Sequence, residues 1–190
     1  HKYADLSCYS FYPSKNLGAY GDAGIITTNN KKLYLIMRKL RNLGSEVKFK
    51  HELVGMNSRL DTLQAVILNH KLNKLSKLNS KRKKIADNYD KKINNKKILK
   101  LTYSKNSVYH QYVILVKKRN ELIKYLKKSN IQYGFHYPYA IHELQVFKGY
   151  FKSEKFPNSE MLSKYGISIP IDPNLTKKQI SYVINKLNSF

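Results

Sequence analysis

The chain has 190 residues, a formal net charge of +24, 42% hydrophobic residues and a single cysteine, Cys8. That length and apolar content describe a folded chain able to bury a core, and one cysteine excludes an internal disulfide and suits a reducing compartment. No apolar run approaches the roughly 20 residues of a membrane-crossing helix, and the opening His1-Lys2-Tyr3-Ala4-Asp5 leads into no apolar signal segment. The positive charge is almost all Lys, spread through residues 71–100 and 117–128 in the manner of solvated helix faces. Arg is scarce, and no aromatic-interleaved basic cluster of the kind that stacks bases is present. A basic nucleic-acid-binding module is the alternative class this charge leaves open. Electrostatic capture of an anionic small substrate is its other consequence.

Tyr3 to Tyr12 reads as a short buried strand that delivers the loop Ser10-Phe11-Tyr12-Pro13-Ser14-Lys15-Asn16-Leu17-Gly18 to a sheet end, where α/β sheets build ligand sites. Lys15 is the one charge between Asp5 and Asp22, set among aromatic and small residues. It is a candidate amine nucleophile for Schiff-base chemistry; a solvated turn lysine is the plainer alternative. The Ser10 hydroxyl suits either a phosphate contact or the closing of a turn. Gly24 to Thr28 reads as the next strand. Lys31 to Asn42 reads as a helix with Leu33, Ile36, Met37 and Leu40 as a core stripe and Gly44 as its stop signal. Residues 45–54, including His51, show no period and carry no assigned role.

In Gly55-Met56-Asn57-Ser58-Arg59-Leu60-Asp61, Ser58 with Asp61 predicts a capping box. The helix it opens runs to about Lys92, with Leu60, Leu63, Ile67, Leu72, Leu75, Leu78, Ile85 and Tyr89 as its apolar face. By spacing alone Asn57 and Arg59 are a cap and a surface charge. The basic, Asn-rich connection at 91–100 marks a domain boundary, dividing 1–95 from 96–190. Beyond it, a strand at Val108–Val116, a helix at Asn120–Lys128 and a strand at Ile131–Phe135 predict a small α/β domain. His110 reads as a core residue. Phe135-His136-Tyr137-Pro138-Tyr139-Ala140-Ile141-His142 gathers two imidazoles and two phenols in a Pro-bounded loop. Its spacing is not that of a helical metal site and only Glu143 accompanies it, so no metal is expected. Thr176 with Gln179 forms another capping box, and Ile180, Val183, Ile184 and Leu187 form the buried face of the last helix.

The string SFYPSKNLGAYGDAG at 10–24 resembles the internal-lysine segment of the DegT/DnrJ/StrS aminotransferases. These are pyridoxal 5′-phosphate (PLP) enzymes that aminate keto groups on nucleotide-linked sugars. GMNSRLDTLQA at 55–65, the His-Tyr-Pro loop, and the segments 156–160 and 167–173 are similar to the same family. The resemblance implies an α/β fold: part of a fold-type-I large domain over 1–95, including the long helix, then a small C-terminal α/β domain over 96–190. It implies that Lys15 is the catalytic lysine and holds PLP covalently, and that Ser10 contacts the PLP phosphate. Asn57 would reach the partner's PLP phosphate across a homodimer with shared active sites, with Arg59 beside it as a substrate residue. His136, Tyr137 and His142 would bind the sugar nucleotide. The implied enzyme is a cytoplasmic transaminase that takes its amino group from glutamate and serves surface-glycan, lipopolysaccharide or O-antigen synthesis. In that family much of the large domain precedes the lysine loop, including the Asp that pairs with the pyridine nitrogen. The chain therefore reads as the C-terminal portion of a longer enzyme, and the implied activity belongs to the whole rather than to these residues alone. Dehydratase relatives carry His in place of the lysine, so Lys15 favours the aminotransferase; a non-catalytic regulatory relative is the remaining alternative.

Overall fold

A computed structural model describes residues 3–151 and 154–190, so His1 and Lys2 of the opening string lie outside the described residues. The architecture is mixed α/β, in two compact units that divide within one long helix, the first ending at Ser76 and the second beginning at Lys77.

The first unit opens with strand β1 (Ser7–Ser10), which pairs antiparallel with β2 (Gly24–Thr27), Ser7 opposite Thr27 and Ser10 opposite Gly24. The strand expected over Tyr3–Tyr12 is thus only four residues long, and it is not buried: Tyr9 is 53% exposed and Ile26 across the ladder 50%. A two-stranded sheet has two faces to cover, and among the described residues these are left largely open. Helix α1 (Lys31–Leu40) starts where Asn30 Oδ1 accepts from the Lys32 and Leu33 amides at 2.9 and 3.3 Å, an N-cap that satisfies donors the helix cannot. It ends at Leu40, and Gly44 just beyond takes φ +75°; a Cβ there would lie 1.6 Å from the Leu53 carbonyl oxygen. The expected stripe is present on α1 but is not core, since no residue of the helix is buried.

The chain then folds back along the end of α1. The Leu43, Met56 and Ser58 amides donate to the Met56, Leu40 and Arg41 carbonyls at 3.1, 2.9 and 2.9 Å. Lys39 bridges Glu52 and Glu46 across this loop, and the Glu52 hydrogen bond holds the Lys39 ammonium above its ordinary pKa. Helix α2 (Thr62–Lys92) starts after Asp61, whose carbonyl accepts from the Ala65 amide at 3.1 Å. The capping box expected from Ser58 does not form, because the Ser58 amide is spent on Arg41 and residues 58–61 are not helical. Leu63 and Leu72 of the expected apolar face are exposed, while Ile85, Ala86 and Tyr89 further along are buried.

The second unit holds the main core. A three-stranded antiparallel sheet runs in the order β3 (Leu99–Lys100), β4 (Tyr112–Leu115), β5 (Gly166–Ile169). All of β5 and three of the four β4 residues are buried. Packed in the same core are Leu122 and Leu126 of α3 (Arg119–Lys128) and Val183, Ile184 and Leu187 of α5 (Lys177–Asn188). The Thr176–Gln179 capping box on α5 forms as expected. The strand expected at Ile131–Phe135 reduces to one bridge, Gly134 opposite Ser168, closed by two backbone bonds of 3.0 and 2.8 Å. Helix α4 (Pro157–Tyr165), with Pro157 in its first turn, was not anticipated. His110 is half-buried beside Gln111. Tyr89 and Tyr112 are fully buried; the Tyr89 hydroxyl donates to the Pro170 carbonyl at 2.7 Å and the Tyr112 hydroxyl to Asp90.

Candidate active site

Lys15 sits in a turn that the backbone ties down on both sides. Beyond β1 the Phe11 amide donates to the Ala23 carbonyl at 2.8 Å, and the Ala19 amide to the Phe11 carbonyl at 2.8 Å. Between these two bonds the chain must reverse, and the Lys15 amide closes the turn onto the Tyr12 carbonyl at 2.8 Å. Gly18 makes the reversal possible: a Cβ there would lie 2.4 Å from the Pro13 carbonyl oxygen, a backbone atom that cannot step aside. Ala19 is fully buried and Lys15 half-buried.

Two side chains of α2 clamp the segment that follows Lys15. Gln64 Oε1 accepts from the Tyr20 amide at 2.8 Å, and Lys71 Nζ donates to the Gly18 carbonyl at 2.7 Å while lying 4.4 Å from the Tyr20 ring centroid. Positions two helical turns apart share a face, so one edge of α2 grips both ends of a three-residue backbone segment. Sequence reasoning passed over both residues. Gln64 lay inside the quoted 55–65 string, but its contact is with a residue 44 positions away, and Lys71 reaches back 53.

Ser10, Asn57 and Arg59 come together in one groove of about 1410 Å³ within the first unit. Ser10 Oγ accepts from the Tyr12 amide at 3.3 Å, which leaves its O–H as a donor. Arg59 Nε donates to Asn57 Oδ1 at 2.8 Å, which fixes that amide and leaves its NH₂ group as donor. Arg38, Arg41, Tyr12, Tyr34, Asp22 and Asp61 also line the groove. Lys15 is in the turn beside it and not among the lining residues. A wall of hydroxyl, amide and guanidinium donors suits a phosphate group, and a partly buried amine on a fixed turn suits a carbonyl.

The remaining candidates belong to the second unit. His136 Nδ1 lies 2.8 Å from Ser168 Oγ, and the imidazole lines a cavity of about 230 Å³ with Tyr103, Gln111 and Val113. The exposed Tyr137 ring meets the His136 ring edge-on at 5.6 Å. His142 belongs to a different local cluster: its ring lies 4.7 Å from that of Phe156, and its Nε2 3.4 Å from Glu160 Oε1. The His-Tyr-Pro loop thus joins His136 with Tyr137 and anchors His142 elsewhere. Among the described residues no group of three metal-ligating side chains forms, and no helix is long and apolar enough to cross a membrane.

A half-buried lysine on a Gly-dependent turn, beside a groove of donors suited to a phosphate, suits a cofactor that carries both a carbonyl and a phosphate. Residues 2–188 match the model of the DegT/DnrJ/EryC1/StrS aminotransferase family, and the chain belongs to that family. The aminotransferases of this family are PLP-dependent. The chain is 39% identical over 200 residues to the dTDP-3-amino-3,6-dideoxy-alpha-D-galactopyranose transaminase of Aneurinibacillus thermoaerophilus, covering 95% of the chain and 55% of that protein. It is 37% identical over 188 residues to a pleiotropic regulatory protein of Geobacillus stearothermophilus, covering 96% of the chain and 50% of that protein. The crystal structure of DesV from S. venezuelae matches with a TM-score of 0.91 at 32% identity, over 97% of this chain and 51% of that one. The chain spans about half the length of the curated relatives it matches.

Proposed function

We propose that this chain is the lysine-bearing portion of a PLP-dependent transaminase. The enzyme would move an amino group from glutamate to a keto group of a nucleotide-linked sugar, in the cytoplasm, for surface-glycan synthesis. The observation that carries the reading is the Lys15 turn, whose backbone is held by the Lys15-to-Tyr12, Ala19-to-Phe11 and Lys71-to-Gly18 bonds, with the Ser10 hydroxyl at the end of β1 in the adjoining groove. Bound PLP supplies the electron sink that makes an amino-acid Cα proton removable. Lys15 Nζ would serve as the acid–base group, taking that proton from Cα and delivering it to the cofactor carbon that receives the amino group. Ser10 Oγ donates to the phosphate of its own site, and the Asn57 amide, oriented by Arg59 through a 2.8 Å bond, donates to the phosphate of the partner's site. Asn57 acts in the site of a second copy, so the enzyme is a homodimer. His136, Tyr137 and His142 serve the sugar nucleotide, and the chain divides into part of the PLP-binding large domain over 1–95 and a small α/β domain over 96–190.

The transaminase name of the Aneurinibacillus relative supports this substrate class. A regulatory role is the second reading, suggested by the name of the Geobacillus relative. Lys15→Arg in the natural enzyme separates the two. The substitution keeps the cation and removes the reactive amine, and turnover should fall by at least about 10²–10⁴-fold, the worth of one acid–base group. Undiminished turnover refutes the assignment.

A further inference from the structure

Arginine is rare here for a reason that makes each one informative. The chain has 31 lysines and five arginines, which together are its 36 basic side chains. With Lys used wherever a positive charge alone suffices, an Arg marks a position that needs the planar, forked guanidinium. Two of the five are spent on backbone. Arg82 donates to the Ile171 carbonyl at 2.8 Å, and Arg119 to the Ser163 and Gly166 carbonyls. The other three, Arg38, Arg41 and Arg59, all line the groove that holds Ser10 and Asn57.

The fold brings these three together on purpose-built backbone. Arg38 leaves the last turn of α1 and Arg41 its C-cap, and the returning loop lays residues 57–59 against that end through the Ser58-to-Arg41 bond of 2.9 Å and the Asn42–Asn57 bridge. Arg59 donates to Asn57, and the Arg38 guanidinium rests 5.7 Å from the Tyr34 ring centroid with a long 3.4 Å bond to its hydroxyl. Among the described residues no carboxylate comes within ion-pair distance of any of the three, although Asp22 and Asp61 line the same groove. The neighbouring Lys39, by contrast, is held by Glu46 and Glu52. Basic residues at a helix C-terminus complement its dipole, but lysine serves that purpose equally, and Arg59 is on no helix.

We propose that Arg38 and Arg41, with Arg59, form an oxyanion rim that takes the diphosphate of a nucleotide-linked substrate. The inference rests on the proposed function for the identity of the ligand, and on the guanidinium geometry alone for its chemistry. Two forks three positions apart on one side of a helix end suit a diphosphate, whose oxygens accept paired N–H donors; a single monoester phosphate needs fewer.

The test is calorimetric titration of the folded chain with inorganic pyrophosphate at about 0.15 M ionic strength, where nonspecific attraction to a +24 chain is damped. Wild type should bind at one saturable site. Arg38→Lys with Arg41→Lys keeps the charge, loses the forks, and should weaken binding by about tenfold or more. Arg38→Gln with Arg41→Gln should abolish it. Lys48→Gln with Lys50→Gln, exposed and outside the groove, should change it less than about twofold. Absence of saturable binding, equal affinity in the Lys pair, or equal weakening in the control pair overturns the rim. The source of the phosphate is settled by first reducing PLP onto the protein. Pyrophosphate binding that persists supports a substrate rim, and its displacement would assign the arginines to the cofactor phosphate and overturn the proposal. Arginine-dependent binding without labelling of Lys15, in this chain and in the whole enzyme alike, would sink the transaminase reading and leave a diphosphate site standing. Labelling of Lys15 without arginine-dependent binding would do the reverse.

Discussion

Replacing Lys71 by Met should loosen the segment that follows Lys15 while leaving the rest of the chain intact. The ammonium donates to the Gly18 carbonyl at 2.7 Å and stands 4.4 Å from the Tyr20 ring centroid. A hydrogen bond to a charged group contributes about 1.5–3 kcal/mol net. Lys71 is half-buried, so the lower end applies. The cation over an exposed ring adds about 0.5 kcal/mol. Met keeps the apolar stem and loses both contacts, so the segment's opening free energy should fall by about 2 kcal/mol. At tenfold per 1.4 kcal/mol that is roughly thirtyfold faster exchange of the amides the clamp protects. The amides to follow are Ala19, bonded to Phe11, and Tyr20, bonded to Gln64. Native-state hydrogen exchange read by NMR measures both, with the buried β4 amides as an internal reference. A change under about threefold at Ala19 and Tyr20, or an equal change in β4, would refute the clamp.

Two further predictions concern stability. Burial holds the Tyr89 and Tyr112 phenols well above the ordinary value of 10.0, with the Asp90 hydrogen bond adding to the effect at Tyr112. Above pH 10 the unfolded chain releases these protons and the folded chain does not. Their contribution is therefore complete below that pH and is lost as pH rises, at about 1.4 kcal/mol per pH unit for each tyrosine. Tyr112→Phe should make the alkaline fall shallower by about that one increment in urea unfolding series; an unchanged slope would contradict it. Gly18→Ala forces a Cβ to 2.4 Å from the Pro13 carbonyl. It should destabilise the turn by about 1–3 kcal/mol, read as faster exchange of the Lys15 and Ala19 amides, and unaltered exchange would show that the turn yields.

Local signals carried the parts of the fold that are locally decided. Gly44 and the Thr176–Gln179 box mark helix ends by hydrogen bonds within a few residues, and each stands close to where the sequence puts it. Periodicity also found the apolar sides of α1 and the early part of α2, but a stripe says only which side is apolar. Whether Ile36 or Leu72 is covered depends on what packs there, and both are about half exposed. The start of α2 moved to Thr62 because a tertiary bond, Ser58 to Arg41, outcompeted the local cap. Helix α4 carried a readable signal in Pro157 and Glu160, without a strong apolar period to support it. In the candidate site, Lys15, Ser10, Asn57 and Arg59 were legible as residues of two strings. The Gln64 and Lys71 clamp, and the gathering of three arginines, arise only when distant segments meet.

The central claim is that Lys15 is the cofactor lysine, and the most direct measurement is a hydride trap. The folded chain is incubated with PLP, reduced with borohydride and digested, and the pyridoxyl group is located by peptide mass. The account predicts label concentrated on Lys15, on its Gly18-dependent turn, in preference to the other lysines among 31. Label spread over the exposed lysines, both in this chain when circular dichroism shows it folded and in the whole enzyme, would contradict it.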